Sequence, residues 1–391
     1  LNFATLIGHN TVRAEVLGTA QREPTAAELD RMKALVAAAM TDGAVGFSTG
    51  LQYVPGTYAK SGEILELARV AAGAGGLYAT HMRNEGTALI DAVRESIDVA
   101  RTLRMRLEIS HLKVDSPSRW GASAEALKLI DDARAEGVDV GSDQYAYTAG
   151  ASTLSIRFPS WALEGGGEQV RQRLSDAATW ARIKHEMIAL YEERGFSDLS
   201  WAAVASYRAD PSLNGLSMKE VAQKLEGSAS ADAQLEAARK LMIGGGASMV
   251  YHFMSEADIE RIMKHAQVAV ASDSGVLEPG AGVPHPRGNG NNARVLGEYV
   301  RERKVITLED AVRKMTSLPA AHFGFRDRGV IRIGAAADLV VFDPARVRDR
   351  ATYAAPHAPP EGIVHVLVNG VAAVRDGQPT GERAGVVLRG K

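Results

Sequence analysis

The sequence contains no cysteine among its 391 residues. That excludes disulfides and thiolate metal ligands within these residues. A reducing compartment fits, so a cytoplasmic location is expected, although a cysteine-free chain is equally compatible with export. Long apolar runs are also missing. None approaches the roughly 18–20 residues that a membrane span needs, so no membrane partner is expected. Neither sign of charge dominates: 45 Lys and Arg stand against 47 Asp and Glu, for a formal net charge of −2. The two signs are mixed along the chain, which argues against a nucleic-acid partner. The stretch at about 164–246 has no repeat and no low-complexity tract. The expected partner is a small-molecule substrate, and no feature sets an oligomeric state.

What is present is an alternation of short apolar runs with helix-period segments, the pattern of βα units around a parallel sheet. The runs at 3–8, 44–47, 76–80, 107–110, 138–141 and 268–271 read as strands. Thr25 and Glu28 form a capping-box signature. Leu29, Met32, Leu35, Val36 and Met40 then mark one helical face, and Gly43 ends it. Further helices are predicted at 62–72, 87–103 and 122–135. A long stretch at about 164–246 is mostly helix-patterned and suits a lid or substrate wall above a barrel. After residue 328 the texture changes to short strands at 337–344 and 363–368, with turn signals at Asn369-Gly370 and Asp376-Gly377. The expected organisation is a hydrolase barrel over 1–328 and a small β-sandwich-like domain over 329–391.

Three polar words recur at one kind of place, directly after a candidate strand. They are Thr80-His81-Met82-Arg83, Ser110-His111-Leu112-Lys113 and Ser272-Asp273-Ser274-Gly275. In a (β/α)8 barrel such strand ends converge on the active-site face. Two neutral imidazoles and a carboxylate suit a catalytic zinc that keeps a position for water. A lone histidine after a strand is more often structural. Two of them, each after its own strand, together with Asp273 after the last barrel strand, shift the balance towards a metal site. Arg157, between Ile156 and Phe158, is an odd place for a bare cation. It reads either as a structural salt bridge or as a partner for an acidic substrate side chain.

The chain resembles the D-aminoacylase (N-acyl-D-amino-acid deacylase) branch of the amidohydrolase superfamily. The matching words are Gly8-His9-Asn10-Thr11-Val12-Arg13, Gly43-Ala44-Val45-Gly46-Phe47-Ser48-Thr49-Gly50-Leu51, Tyr78-Ala79-Thr80-His81-Met82-Arg83 and Ile109-Ser110-His111-Leu112-Lys113. His285-Pro286-Arg287, Ala311-Val312-Arg313-Lys314-Met315-Thr316 and the segment 337–344 follow in the same order. The resemblance implies an α/β fold, a (β/α)8 TIM-type barrel of which strands three to eight are present, and zinc-dependent hydrolysis of N-acyl-D-amino acids. By the same resemblance, His81 and His111 are metal ligands and Asp273 is the general base and then acid. Lys113 holds the substrate α-carboxylate with help from Tyr145 and Ser152, and Tyr53 lines the pocket.

There are departures from the family pattern. Its His-x-His on strand one and its strand-two cysteine have no counterpart here, and both would lie upstream of Leu1. The expectation is therefore an upstream portion carrying them, and no deacylation from 1–391 alone. The run Gly46–Gly50 also lacks the strand-four lysine that bridges two metals elsewhere in the superfamily, which favours a single tightly bound zinc. A cyclic-amide hydrolase of the hydantoinase or dihydroorotase kind shares the fold but usually carries that lysine. A non-catalytic relative would have less reason to retain His81, His111 and Asp273 together.

Overall fold

The structure is a computed structural model that describes residues 1–390. Its centre is a six-stranded sheet in the order β1-β2-β3-β4-β5-β9. The strands are β1 (Ile7–Gly8), β2 (Gly46–Gly50), β3 (Leu77–His81), β4 (Leu107–Ile109), β5 (Val140–Gln144) and β9 (Val268–Val270). Every neighbouring pair is parallel. Parallel strands need crossovers, and helices supply them. Ala26–Thr41, Ser61–Gly73, Leu89–Leu103 and Ser123–Ala135 each lie between one strand of this sheet and the next. The first begins with the predicted capping box, in which Thr25 accepts from the Glu28 backbone while the Glu28 carboxylate receives the Thr25 N–H.

The helix Leu89–Leu103 shows why these segments settle where they do. Ile90, Val93, Ile97 and Ala100 recur at helical spacing and are buried, while Arg94, Asp98 and Arg101 face water. They pack into one apolar cluster with Phe47, Tyr78, Leu107 and Ile109 of the sheet. Fully burying one such aliphatic side chain is worth about 1.5–3 kcal/mol, so the cluster fixes the register of sheet against helices. Because all six strands run the same way, their C-terminal ends open on one face.

Above that face stands a three-stranded antiparallel sheet, ordered β6-β8-β7. Its strands are β6 (Ala149–Thr153), β7 (Ala202–Ser206) and β8 (Ser248–His252). Four helices fill the remainder of the excursion: Gly167–Ser175, Ala177–Arg194, Met218–Glu226 and Ala231–Ile243. The excursion has its own apolar cluster around Trp180, Met187, Leu241 and Met249. A buried ion pair, Arg194 to Asp115 at 2.9 Å, ties it to the loop after β4. The helix-patterned stretch thus also holds the strand β7, and the chain forms a helix, His9–Leu17, that the apolar pattern does not announce.

The C-terminal strands β10 (Leu339–Phe342), β11 (Ile363–Val368), β12 (Val371–Arg375) and β13 (Gln378–Pro379) form one antiparallel sheet. Between β11 and β12, Asn369 (φ 50°) and Gly370 (φ 84°) both take the left-handed conformation that a tight hairpin requires. The tail then returns to the start of the chain, where Leu388 N–H donates to the Phe3 carbonyl at 2.7 Å. Among the described residues no helix is long and apolar enough to cross a membrane.

Candidate metal centre and substrate pocket

His81 is the last residue of β3, His111 lies two residues beyond β4, and Asp273 lies three beyond β9. The common strand direction therefore delivers all three to the same face. Two of them turn sharply there. His111 (φ 42°) and Asp273 (φ 48°) occupy the left-handed region, which costs a non-glycine residue about 1–2 kcal/mol. At His111 the strain is held by a specific contact, its backbone N–H donating to Asp143 Oδ1 of β5 at 2.7 Å. Burial pushes the Asp143 carboxyl well above its ordinary range, reinforced by the neighbouring acid Glu108, which burial raises to about 7.

The imidazoles of His81 and His111 meet edge to face, with centroids 4.6 Å apart. His81 Nδ1 lies 3.0 Å from His111 Nε2. Burial lowers the His81 pKa to about 3, so the ring is neutral at physiological pH. Its Nε2 is buried and makes no hydrogen bond among the described residues. Glu85, which the sequence reading did not single out, completes the group. The ligand-type atoms of His81, Glu85 and His111 all lie within 4.8 Å of one another. Burial alone would raise Glu85, but the charge of Lys113, aided by a hydrogen bond with His111, holds its carboxyl well below the usual range.

Lys113 is buried with its head group engaged. Its Nζ donates to Glu85 Oε1 at 2.5 Å and lies 2.7 Å from His111 Nδ1. The expectation of an ammonium standing ready for substrate is thus modified, because a buried cation needs a counter-charge and Glu85 is that group. Tyr145 places its ring 5.8 Å from Lys113 Nζ, and its buried hydroxyl has no hydrogen-bond partner among the described residues. Burial drives that phenol well above 10. Ser152, on β6, donates to the Tyr53 hydroxyl at 3.2 Å, and the Tyr53 ring lies 4.7 Å from that of His81. Burial raises Tyr53 to about 12.

Arg287 was read in the sequence only as part of a word, and the structure gives it a position. Its guanidinium stacks 4.5 Å from the Tyr145 ring centre and pairs with Asp273 Oδ2 at 2.9 Å. His285, by contrast, has a structural place. It is buried, 2.8 Å from the Ala149 carbonyl, and burial lowers its pKa to about 3.

Tyr53, His81, His111, Lys113, Tyr145, Ser152, Arg157 and Asp273, all singled out in the sequence, line one cavity of about 70 Å³. Glu85, Asp115 and Gln52 join them. Arg157 is buried in its wall, with its guanidinium 4.3 Å from the centre of Tyr251, 5.1 Å from Trp201 and 5.6 Å from Phe253. No carboxylate pairs with it among the described residues. The structural salt bridge considered for it is therefore not what the structure shows.

A family model described as the amidohydrolase family matches residues 1–374. The chain belongs to the amidohydrolase family. Within it, this amidohydrolase is 40% identical to the N-acyl-D-glutamate deacylase of Alcaligenes xylosoxydans xylosoxydans over 389 residues, covering 100% of this chain and 70% of that protein. It is 36% identical to the D-aminoacylase of the same organism over 388 residues, covering 99% of this chain and 70% of that protein. Among solved structures it superimposes on the N-acyl-D-glutamate deacylase of Bordetella bronchiseptica with a TM-score of 0.80 and 36% identity, covering 100% of this chain and 72% of the other. That structure was determined with zinc and a phosphonate inhibitor that mimics the tetrahedral intermediate of the reaction.

The donor set of this chain fits a zinc ion. It has two imidazoles, one held neutral by burial with an unpartnered ring nitrogen, and carboxylates at hand in a small polar cavity. Glu85 is the less available of the three grouped side chains, because Lys113 already holds its carboxylate.

Proposed function

We propose that this chain hydrolyses the amide bond of N-acyl-D-amino acids, releasing a carboxylate and a free D-amino acid, and that it favours an acidic amino-acid side chain. The relatives named above support the reaction class, and the buried, unpaired Arg157 supports the preference. His81 and His111 would hold zinc. A zinc ion held there would supply a lowered pKa for water and polarisation of a carbonyl oxygen. Asp273, oriented by Arg287, takes the proton of the attacking water. As the water oxygen bonds to the carbonyl carbon and the C–N bond breaks, Asp273 returns that proton to the departing amine. Lys113, Tyr145 and Ser152 receive the substrate α-carboxylate, and the partnerless Tyr145 hydroxyl is the donor most ready for it.

Arg157 decides the side chain. Burying a charge costs several kcal/mol, and cation–π contacts return about 2 kcal/mol each when desolvated. An aromatic box therefore lets an unpaired guanidinium persist, still available for a carboxylate. The test is kcat/KM for N-acetyl-D-glutamate and N-acetyl-D-leucine, in the protein expressed with whatever its gene encodes upstream of Leu1. Arg157→Leu should lower the glutamate value about a hundredfold, as expected for a buried charge pair, and move the leucine value only a few-fold. An equal loss on both substrates removes Arg157 from specificity.

A further inference from the structure

The catalytic cavity does not end at its own wall. A second and much larger cavity, of about 880 Å³, adjoins it and shares Gln52, Tyr53 and Ile156 as lining residues. The first, at about 70 Å³, is the smaller of the two. We propose that the second cavity is an acyl-chain groove, and that the enzyme acts best on D-amino acids carrying medium-length aliphatic acyl groups. The inference deepens the reading given above and rests on it.

Two observations carry it. The first is direction. Lys113 and Tyr145, two of the groups assigned to the α-carboxylate, lie on segments following β4 and β5. The shared wall at Gln52 and Tyr53 follows β2, at the other side of the sheet order. A substrate anchored by its carboxylate on the first side, with its carbonyl at the histidines, points its acyl arm past Tyr53 into the large cavity.

The second is chemistry. Leu154, Val170, Met242 and Ala247 are buried walls of that cavity, and Val54 and Leu163 are half-buried ones. Its exposed lining is polar and includes Thr153, Ser206, Arg208 and Ser248. An apolar interior with a polar mouth suits an aliphatic chain better than a second charged group. Extending the acyl group by six methylenes buries enough apolar surface for a rate or affinity gain of about tenfold or more, even if only part of each methylene leaves water.

Thr153 and Ser248 are register partners on β6 and β8, both exposed and both lining the groove. Neither has a place in the catalytic machinery, so Ser248→Trp can obstruct the groove without touching the chemistry. The experiment compares N-acetyl- with N-octanoyl-D-glutamate in two ways: kcat/KM with zinc-loaded protein, and calorimetric affinity with metal-free protein. The octanoyl compound should be favoured about tenfold or more in both. Ser248→Trp should erase most of that advantage while leaving N-acetyl-D-glutamate within about twofold of wild type. Equal binding of the two compounds by wild type overturns the groove, as does an advantage that Ser248→Trp and Thr153→Trp both leave intact. Tail-dependent binding without hydrolysis of either compound upholds the groove and counts against the catalytic reading instead.

Discussion

Replacing Asp273 by Asn should lower kcat for N-acetyl-D-glutamate about a thousandfold, within the range for removal of a general base. That corresponds to about 4 kcal/mol of transition-state stabilisation. Asn keeps the shape of the side chain and tolerates the left-handed backbone at this position (φ 48°) better than most residues. The fold and the zinc content should therefore be unchanged. KM should move little, because Asp273 acts on the water and the departing amine rather than on the bound carboxylate. The ion pair with Arg287, at 2.9 Å, is lost in this variant. Arg287→Met controls for that loss: it removes the charge and keeps an unbranched side chain against Tyr145, and it should cost far less than Asp273→Asn. If the two variants lose activity equally, Asp273 acts through Arg287 and is not itself the base.

His111→Asn should abolish tight zinc binding, taking the metal content from about one equivalent per chain to near none. It should take deacylation with it. Asn is preferred to Ala here because His111 sits at φ 42°, where Asn is tolerated and Ala is strained. The Asn variant separates loss of the ligand from loss of the backbone turn. Its melting temperature without metal should match that of the metal-free wild type, whereas added zinc should stabilise only the wild type, by mass action on the folded state. Elemental analysis reads the metal directly, and an unchanged zinc content in His111→Asn removes His111 from the ligand set.

Much of this site was legible in the sequence for a geometric reason. The apolar runs that became β3, β4 and β9 each end in a polar word, and parallel strands must bring such words to one face. Glu85 was not legible. It sits four residues past His81 in irregular structure, and only the folded chain shows that it meets Lys113 across the cavity. Arg287 was visible as a residue but not as a neighbour of Asp273, because the chain travels through 274–286 before returning to it.

The misread elements have similar causes. The β7 segment carries Ala202, Ala203 and Ala205, which favour helix locally, yet pairing with β8 overrides that preference. The helix His9–Leu17 follows Gly8, which offers no side-chain cap, and includes Thr11, Val12 and Val16, so neither propensity nor capping announces it. The strand after Val138 begins at Val140 and continues through Ser142, Asp143 and Gln144. The apolar run stopped short of these polar residues, two of which are paid for by hydrogen bonds: Ser142 donates to the Ile109 carbonyl, and Asp143 accepts from His111.

The most direct test of the central claim is the release of D-glutamate from N-acetyl-D-glutamate, before and after the metal is stripped with a chelator. The account predicts turnover by the zinc-replete protein, its loss on chelation, its return on adding zinc, and little release from N-acetyl-L-glutamate. Full turnover by the metal-free protein, or none by the zinc-saturated protein with any N-acyl-D-amino acid, would contradict it.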